Sequence, residues 1–339
     1  MKQAVMVAPR QIVFNEVEKP TPNANEVILQ TQRIGVCGSD IHVYHGLHPY
    51  TGYPVVQGHE IGGVVAAVGA NVTHVKAGDK ITFMPQVTCG ECYPCKHGMY
   101  HICESLKVMG FQTGGAAQEY FALPADKVLK LPDSMSVDEA AMIEPIAVTV
   151  HALERGGGAA GKRVIVLGAG AIGNLTAQVA KASGAKAVMI TDVSDYKLAK
   201  ARECGIEYTV NAASENLGEA IARDFGPDKA DLILECVGVE ATMTDAVQYA
   251  RKGSTIVVVG VFGKKPQVDL GLVQDRELTL TGTLMYQRSD YERAIELVAS
   301  GKMHLNAMIT HRFPFDQYLD AYHTIEAVRG EYLKVMIEL

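Results

Sequence analysis

Residues 163–173 have the sequence RVIVLGAGAIG, and this stretch decides the fold of the second half of the chain. The segment Arg163–Leu167 has the length and apolarity of a buried strand, and the residues that follow the glycines, Ile172–Ser183, have helical spacing. The first glycine permits a tight turn, the second lets the backbone approach a pyrophosphate, and the third lets the helix pack closely on the strand. The free N–H groups of the helix N-terminus face the phosphates in such a turn. We therefore predict a dinucleotide-binding turn formed by Gly168, Gly170, Ala171, Ile172 and Gly173.

An acidic residue, Asp192, closes the next predicted strand, about 20 residues after the glycine turn. A carboxylate at this point accepts hydrogen bonds from the adenosine ribose 2′-OH and repels a 2′-phosphate. Asp192 therefore predicts NAD rather than NADP as the cofactor. The alternative is that Asp192 only caps the helix that follows it.

The pattern of apolar residues changes near residue 150. Before it, short apolar or alternating runs are separated by Gly, Pro, Asn and Asp, which is typical of an all-β unit. After Gly156-Gly157-Gly158, strands and helices alternate, and this favours a parallel sheet with crossover helices. The last strand, Tyr332–Glu338, is expected to return to the first unit. The predicted strands are Glu26–Thr31, Gly62–Val68, Lys80–Met84, Gln118–Leu123, Arg163–Leu167, Ala187–Thr191, Asp231–Cys236 and Thr255–Val261; the predicted helices are Ile172–Ser183, Asp195–Cys204, Ala241–Ala250, Asp290–Ser300 and Phe315–Val328.

Composition excludes several classes of protein. The 339 residues are 48% hydrophobic and 20% charged, which is typical of a folded globular chain. Thirty-one basic residues against 38 acidic ones give a net charge of −7, so we expect no nucleic-acid partner. No apolar run reaches the roughly 20 residues of a membrane span, and no signal peptide is visible, so we expect a cytoplasmic protein without a membrane partner.

Four of the seven cysteines fall within 15 positions, as Cys89-x2-Cys92-x2-Cys95-x7-Cys103. Thiolates at this spacing suit tetrahedral Zn²⁺, and four of them leave no position for water, so we expect a closed, structural zinc site. An iron–sulfur cluster is the competing metal interpretation, and a thiol cluster without metal is the third.

A second, dispersed set of residues offers a thiol, an imidazole and carboxylates. Cys37 lies in GVCGSD, His59 and Glu60 follow Gly58, and Glu144 precedes Pro145. These are the ligand types of an open, catalytic zinc site. Taken singly, each has a plainer explanation, as a small core residue, a satisfied histidine or a salt-bridged carboxylate.

These features together resemble the zinc-dependent medium-chain alcohol dehydrogenase family. The pattern Gly58-His59-Glu60-x2-Gly63-x5-Gly69-x2-Val72 matches that family's zinc signature at every defined position. The resemblance implies an α/β fold, in which a GroES-like catalytic domain occupies residues 1–146 and is completed by 286–339. A Rossmann domain, a doubly wound parallel sheet that binds NAD, is expected at 147–285. The active site is expected in the cleft between the two domains.

The resemblance also implies roles for individual residues. Cys37 and His59, with Glu60 or Glu144, hold the catalytic zinc, and which carboxylate binds directly stays open. Ser39 and His42 match the proton-relay positions, and an imidazole exchanges a proton near neutral pH. Two zinc ions per chain, NAD, an alcohol or ketone substrate, and assembly as a homodimer or homotetramer are expected.

Within the family, the Glu144-Pro145 stretch is similar to that of the sorbitol, sugar-acid and butanediol dehydrogenases. Sorbitol dehydrogenases have an Arg-Tyr pair where this chain has Met285-Tyr286, so the usual arginine is missing. Nearby Arg288 is an alternative source of charge. The expected reaction is hydride transfer from a secondary alcohol of a polyol, sugar derivative or diol to NAD. L-Threonine 3-dehydrogenase, 2,3-butanediol dehydrogenase and a non-catalytic zinc-and-NAD sensor are the alternatives. The candidate substrate contacts are Tyr44, Tyr50, Phe111, Tyr286 and Arg288.

Overall fold

The computed structural model describes residues 1–328 and 330–339. The strands in this range are β1 Lys2–Ala8, β2 Gln11–Glu16, β3 Glu26–Val36, β4 Glu60–Val68, β5 Lys80–Phe83, β6 Gln86–Val87, β7 Lys107–Val108, β8 Tyr120–Pro124, β9 Val128–Lys130, β10 Arg163–Leu167, β11 Ala187–Asp192, β12 Tyr208–Asn211, β13 Leu232–Glu235, β14 Thr255–Val258, β15 Thr279–Gly282, β16 Ile309–Pro314 and β17 Lys334–Glu338. The helices are α1 Gly38–Tyr44, α2 Tyr93–Lys96, α3 Val137–Arg155, α4 Ala171–Ala182, α5 Asp195–Glu203, α6 Leu217–Asp224, α7 Glu240–Tyr249, α8 Leu270–Asp275, α9 Arg288–Ala299 and α10 Tyr318–Ala327, with 3-10 turns at Tyr100–Ile102, Ala125–Lys127, Leu305–Met308 and Phe315–Gln317.

The chain divides into two compact units. The first consists of Met1–Glu144 and Ile309–Leu339, and the second of Pro145–Met308. No helix among the described residues combines the length and the hydropathy that a membrane span requires.

The first unit is built on a seven-stranded sheet in the order β16-β17-β3-β4-β5-β9, with β8 paired to β3. Strand β3 is antiparallel to β4, β8 and β17, and its inward side chains are almost fully buried. The C-terminal strand β17 thus pairs with the N-terminal part of the chain, and the predicted return of the chain end is confirmed.

The second unit is a six-stranded parallel sheet in the order β12-β11-β10-β13-β14-β15. This is the strand order of a doubly wound dinucleotide-binding sheet. Each strand is followed by a helix or a loop that crosses to the next, and the buried faces of β10 and β13 form the centre of the core. The predicted fold class is confirmed, and β10 matches the predicted strand in full.

Several elements differ from expectation at their ends or were not expected. The predicted strand Thr255–Val261 ends at Val258, and β12, α6 and β15 were not predicted. The long helix α3 contains Pro145 in its interior, which the sequence pattern alone disfavours.

Residues 286–308, which the sequence analysis placed in the segment returning to the first domain, lie in the second unit. Hydrogen bonds explain this placement. The backbone N–H of His304 donates to the Gln178 side chain at 2.7 Å, and Asp290 bonds His151 at 2.8 Å. Of the C-terminal segment 286–339, the part that joins the first unit begins at Ile309.

Candidate active site

The thiol, imidazole and carboxylate of Cys37, His59 and Glu60 meet in the first unit, with all three ligand atoms within 4.8 Å of one another. Cys37 follows the end of β3, and His59 precedes β4, which begins at Glu60. Because β3 and β4 are antiparallel and Gly35 lies opposite Glu60, the end of one strand meets the start of the other. His59 and Glu60 are almost completely buried.

The glycines of the signature around this cluster lie against backbone. A Cβ on Gly63 would lie 2.2 Å from the Gln30 carbonyl oxygen, and one on Gly69 would lie 1.9 Å from that of Asn23. Gly58 has a φ of +94° and packs on the Ala117 amide. Glycine is therefore required at these positions because the backbone packs closely around the site, and a side chain at any of them would push the strands apart.

Glu60 is held by Lys334, whose role no motif in the sequence predicts. The Lys334 ammonium lies 2.6 and 2.8 Å from the two Glu60 carboxylate oxygens, and its third donor faces the Val36 carbonyl at 3.4 Å. Lys334 comes from β17 and reaches across β3 over Gly35, where a Cβ would lie 2.1 Å from Glu60 Oε2. Burial opposes the charged ammonium, but the charges of Glu60, Cys37 and Glu144 and the hydrogen bond to Glu60 together raise the pKa of Lys334.

His59 faces a second carboxylate, Asp40, whose Oδ1 lies 3.6 Å from His59 Nδ1. Burial works against a charged imidazole, yet the charge of Asp40 and the interactions with Cys37 raise the pKa of His59 well above its ordinary value. His59 Nδ1 is buried without a hydrogen-bond partner among the described residues. The buried site therefore brings a thiol, an imidazole and a carboxylate together, and these are the ligand types that a divalent zinc ion takes in proteins.

Glu144 lies within α3, at the point where the segment Met1–Glu144 of the first unit ends, and it is 6% exposed. Its charge acts on both His59 and Lys334. It does not belong to the group of ligand atoms within 4.8 Å that Cys37, His59 and Glu60 form. The structure thus brings Glu60 into this group and leaves Glu144 beside it.

The four clustered cysteines also converge, with their sulfur atoms within 4.8 Å of one another around α2 and the turn Tyr100–Ile102. The Cys103 sulfur lies 3.5 Å from that of Cys89 and 3.8 Å from that of Cys92. Backbone N–H groups of Glu91 and Cys92 lower the pKa of Cys89 to about 6. Four convergent sulfur atoms with one thiol readily ionised are a donor set that fits tetrahedral zinc.

The glycine turn of the second unit has the geometry that its sequence predicts. Gly168 has a φ of +100°, and a Cβ on Gly173 would lie 1.8 Å from the Gly168 carbonyl oxygen. Gly170 precedes α4 with open space around its Cα. Asp192 accepts hydrogen bonds from the backbone N–H groups of Ala169 at 2.8 Å and Ser194 at 2.9 Å. The carboxylate therefore lies beside the turn.

The alternative role of Asp192 as a helix cap is wrong. Helix α5 begins at Asp195, and its N-cap is Ser194, whose hydroxyl accepts a hydrogen bond from the Lys197 N–H at 3.4 Å. Asp192 lies two residues earlier, at the end of β11.

Exposed apolar side chains lie at the same end of the parallel sheet, although no motif in the sequence distinguishes them. Val237, Val239, Val261 and Leu284 follow the carboxyl ends of β13, β14 and β15, and Val261 is 91% exposed. Ligands of doubly wound sheets bind at this edge. Valines are common in loops, so the sequence does not distinguish these residues. Their position at this edge of the sheet does.

Ser39 and His42 are one helical turn apart on α1, with His42 exposed and Ser39 half-buried. They therefore share one face of a short helix that begins next to Cys37.

The candidate substrate contacts fall into different environments. Tyr44 is 1% exposed and packs on Tyr322 with ring centroids 4.8 Å apart, so it is a core residue and not a surface for substrate. Phe111 lies between His48, stacked at 5.0 Å, and His59 at 4.8 Å, which places it beside the ligand cluster. Tyr50 is 78% exposed.

Two further candidates lie in the second unit. Tyr286 is fully buried and packs edge-on against Tyr291 at 4.9 Å. A fully buried ring has no free face for a substrate, so Tyr286 serves the core in this structure. Arg288 begins α9, and its guanidinium lies 3.9 Å from Glu292, one helical turn away.

Two family sequence models match the chain. One, described as alcohol dehydrogenase GroES-like domain, matches residues 23–133, and the other, described as zinc-binding dehydrogenase, matches residues 171–300. The chain is 32% identical to L-galactonate-5-dehydrogenase of Escherichia coli strain K12, over 99% of this chain and 98% of that protein. It is 35% identical to sorbitol dehydrogenase of Gallus gallus, over 94% of this chain and 91% of that protein.

Solved structures of similar sequence share the fold. A zinc-binding dehydrogenase from Sinorhizobium meliloti 1021, solved with NADP, has a TM-score of 0.93 at 30% identity and covers 100% of this chain and 99% of its own. An alcohol dehydrogenase from Escherichia coli CFT073, solved with NADH, has a TM-score of 0.92 at 31% identity with the same coverage. The two neighbours carry different cofactors.

Proposed function

This chain belongs to the zinc-dependent medium-chain alcohol dehydrogenase family, in its polyol and sugar-acid branch, and we propose that it oxidises a secondary alcohol of a polyol or sugar derivative with NAD. The observation that carries the proposal is the buried cluster of Cys37, His59 and Glu60, which offers thiolate, imidazole and carboxylate ligands within 4.8 Å. A dehydrogenase of this chemistry needs a metal site of that kind and a dinucleotide turn, and the chain has both.

Cys37 and His59, with Glu60 or Glu144, would hold the catalytic zinc. When bound, zinc polarises a hydroxyl oxygen and lowers its pKa. Phe111 covers one side of His59 and limits access of water. The exposed imidazole of His42 passes the hydroxyl proton to solvent, and Ser39 shares its helical face. Cys89, Cys92, Cys95 and Cys103 would hold the second, structural zinc.

The proton-transfer role of His42 predicts a pH-dependent defect. We expect His42→Ala to slow alcohol oxidation about tenfold or more near pH 7, in line with the effects of general bases. Near pH 10 the loss should shrink to about twofold or less, because hydroxide can then accept the proton. The measurement is kcat as a function of pH, with the exposed His74→Ala as control. An equal loss at both ends of the pH range would remove His42 from proton transfer.

Asp192 predicts the choice between NAD and NADP. Removing the carboxylate in Asp192→Gly loses charge-assisted hydrogen bonds of about 1.5–3 kcal/mol, so we expect the NAD preference in kcat/KM to fall about tenfold or more. Asp192→Asn removes the charge but keeps one of the two oxygens that accept from the Ala169 and Ser194 amides, so it should give part of the same shift. Asp195→Asn, an exposed carboxyl in the following helix, is the control. An unchanged cofactor ratio in Asp192→Gly would contradict the assignment.

The substrate class is tested by a screen for NADH formation at 340 nm across polyols, sugar acids, diols and L-threonine. We expect turnover with a polyol or sugar acid, and its loss on prolonged treatment with a chelator. Turnover with threonine alone would favour L-threonine 3-dehydrogenase. No turnover with any alcohol, in protein that binds both zinc and NAD, would favour a sensor.

For the assembly and location of the chain we propose a cytoplasmic homodimer or homotetramer without nucleic-acid or membrane partners. The support is the open edge of the parallel sheet at β15, where the backbone of an outer strand is available to pair with a second copy. Exposed Leu270 lies on the adjoining helix α8. Sedimentation of the purified protein would distinguish monomer, dimer and tetramer.

A further inference from the structure

The carboxylate behind His59 is itself held by a buried polar chain that the proposed function does not use. Asp40 is 1% exposed, and one of its oxygens accepts a hydrogen bond from the Cys37 backbone N–H at 3.0 Å. Its other oxygen, Oδ1, is the one that lies 3.6 Å from His59 Nδ1. A group that fixes the position of Asp40 Oδ1 therefore also fixes the position of the negative charge beside His59.

Gln57 performs this orientation. Its amide nitrogen donates to Asp40 Oδ1 at 3.1 Å and to the Asp40 backbone carbonyl at 3.2 Å. Its amide oxygen accepts from the Tyr322 hydroxyl at 2.7 Å. A carboxylate and a carbonyl only accept, so the amide nitrogen must face Asp40, and the amide has one possible orientation.

Tyr322 closes the chain from α10, in the C-terminal part of the same unit. It is 1% exposed and is packed between Tyr44 at 4.8 Å and Tyr318 at 5.9 Å. Burial raises the pKa of the Tyr322 phenol well above its ordinary value, so the hydroxyl stays protonated and donates. Leucine and phenylalanine would fill the same space without two buried polar groups, which cost free energy unless they are fully bonded.

We propose that Gln57 and Tyr322 are positioning residues for the metal site: the chain Tyr322–Gln57–Asp40 holds the carboxylate against His59 and keeps the imidazole turned toward Cys37 and Glu60. This inference rests on the proposed function, because it concerns the same metal. The hydrogen bonds that the structure gives these two side chains run to Asp40 and to each other. Their effect is on how tightly the cluster retains its metal.

The test is the rate at which purified, zinc-loaded enzyme releases its catalytic zinc to a chromophoric chelator. Groups that orient a metal ligand alter metal affinity by about 10–100-fold, so we expect Gln57→Leu and Tyr322→Phe each to release zinc about tenfold faster. Because Tyr322 acts through Gln57, the double variant should release zinc no faster than Gln57→Leu alone. The Co²⁺-substituted enzyme should show a shifted visible absorption spectrum in Gln57→Leu.

Two matched controls separate positioning from general loosening of the fold. Thr82→Val removes a buried hydroxyl that donates to the Ile61 carbonyl at 2.8 Å in the same unit. Gln178→Leu removes a buried, hydrogen-bonded amide in the second unit. Both should lower the melting temperature and leave zinc release and the Co²⁺ spectrum unchanged.

The inference is overturned if Gln57→Leu and Tyr322→Phe keep the wild-type release rate and spectrum, or if Thr82→Val accelerates release as much as they do. A wild-type enzyme that, after reconstitution, holds metal only on the four-cysteine cluster would instead overturn the proposed function, and the positioning role with it. Zinc content per chain, measured first, distinguishes the two failures.

Discussion

Cys37→Ala should reduce the zinc content from two ions per chain to one and lower kcat/KM for alcohol oxidation by about a thousandfold or more. Cys37 supplies the thiolate of the ligand cluster, and without it one imidazole and one lysine-bound carboxylate remain in the group. Metal polarisation of the reacting oxygen contributes several kcal/mol, and each 1.36 kcal/mol is a factor of ten in rate. Elemental analysis and steady-state kinetics on the same preparation make the measurement.

Cys204→Ala is the matched control for this experiment. Cys204 is a buried thiol of the second unit, and burial raises its pKa to about 11, so it stays a neutral core residue. Its loss should leave two zinc ions and near-normal kinetics. Full activity of Cys37→Ala with two zinc ions bound would contradict the metal assignment.

Lys334→Met should destabilise the first unit by about 3–5 kcal/mol, because it leaves the Glu60 carboxylate buried without its partner. Both side chains are at most 3% exposed and the ammonium contacts both carboxylate oxygens, so water does not substitute for the lysine. For a unit of this size the melting temperature should fall by roughly 10 °C. Calorimetry of metal-free protein is the measurement, since bound zinc would partly compensate the carboxylate.

Two further variants show whether the buried pair is responsible. Lys334→Arg keeps the charge and should recover much of the lost stability. In the double variant Glu60→Gln with Lys334→Met no unpaired charge is buried, so the loss should be smaller than for Lys334→Met alone. A double variant as unstable as the sum of the single ones would mean that Lys334 acts by packing and not by its charge.

The parts of the site that the sequence predicted are those whose chemistry is local. In the turn at residues 168–173, the strand, the glycines and the helix start are consecutive, and Gly173 packs directly on the carbonyl oxygen of Gly168 within the same turn. The four clustered cysteines converge for the same reason, since two short turns bring Cys89 to Cys103. Asp192 follows from register, because parallel strands end at one edge of the sheet.

The sequence pattern was less informative about single aromatic or charged residues that belong to no motif and no periodic run. Tyr44 and Tyr286 are candidate substrate contacts by sequence, yet both are buried in the core. The sequence shows that each residue carries a hydroxyl group, but it does not show whether the ring faces the core or the solvent. Pro145 similarly disfavours a helix in sequence, whereas packing keeps α3 continuous through it.

What only the tertiary structure decided is which distant groups share the buried space around His59. Lys334 is 274 residues from Glu60, and Tyr322 is 265 residues from Gln57. In the sequence they are a lysine at the start of a strand and a tyrosine on a helix, and both are ordinary at such places. The local chain dictates the ligand types and the glycine turn, because bonded neighbours set their spacing. The partners of those ligands, Lys334 and Tyr322, reach the site because β17 packs against β3 and α10 packs against α1. The spacing of residues along the chain does not predict these contacts.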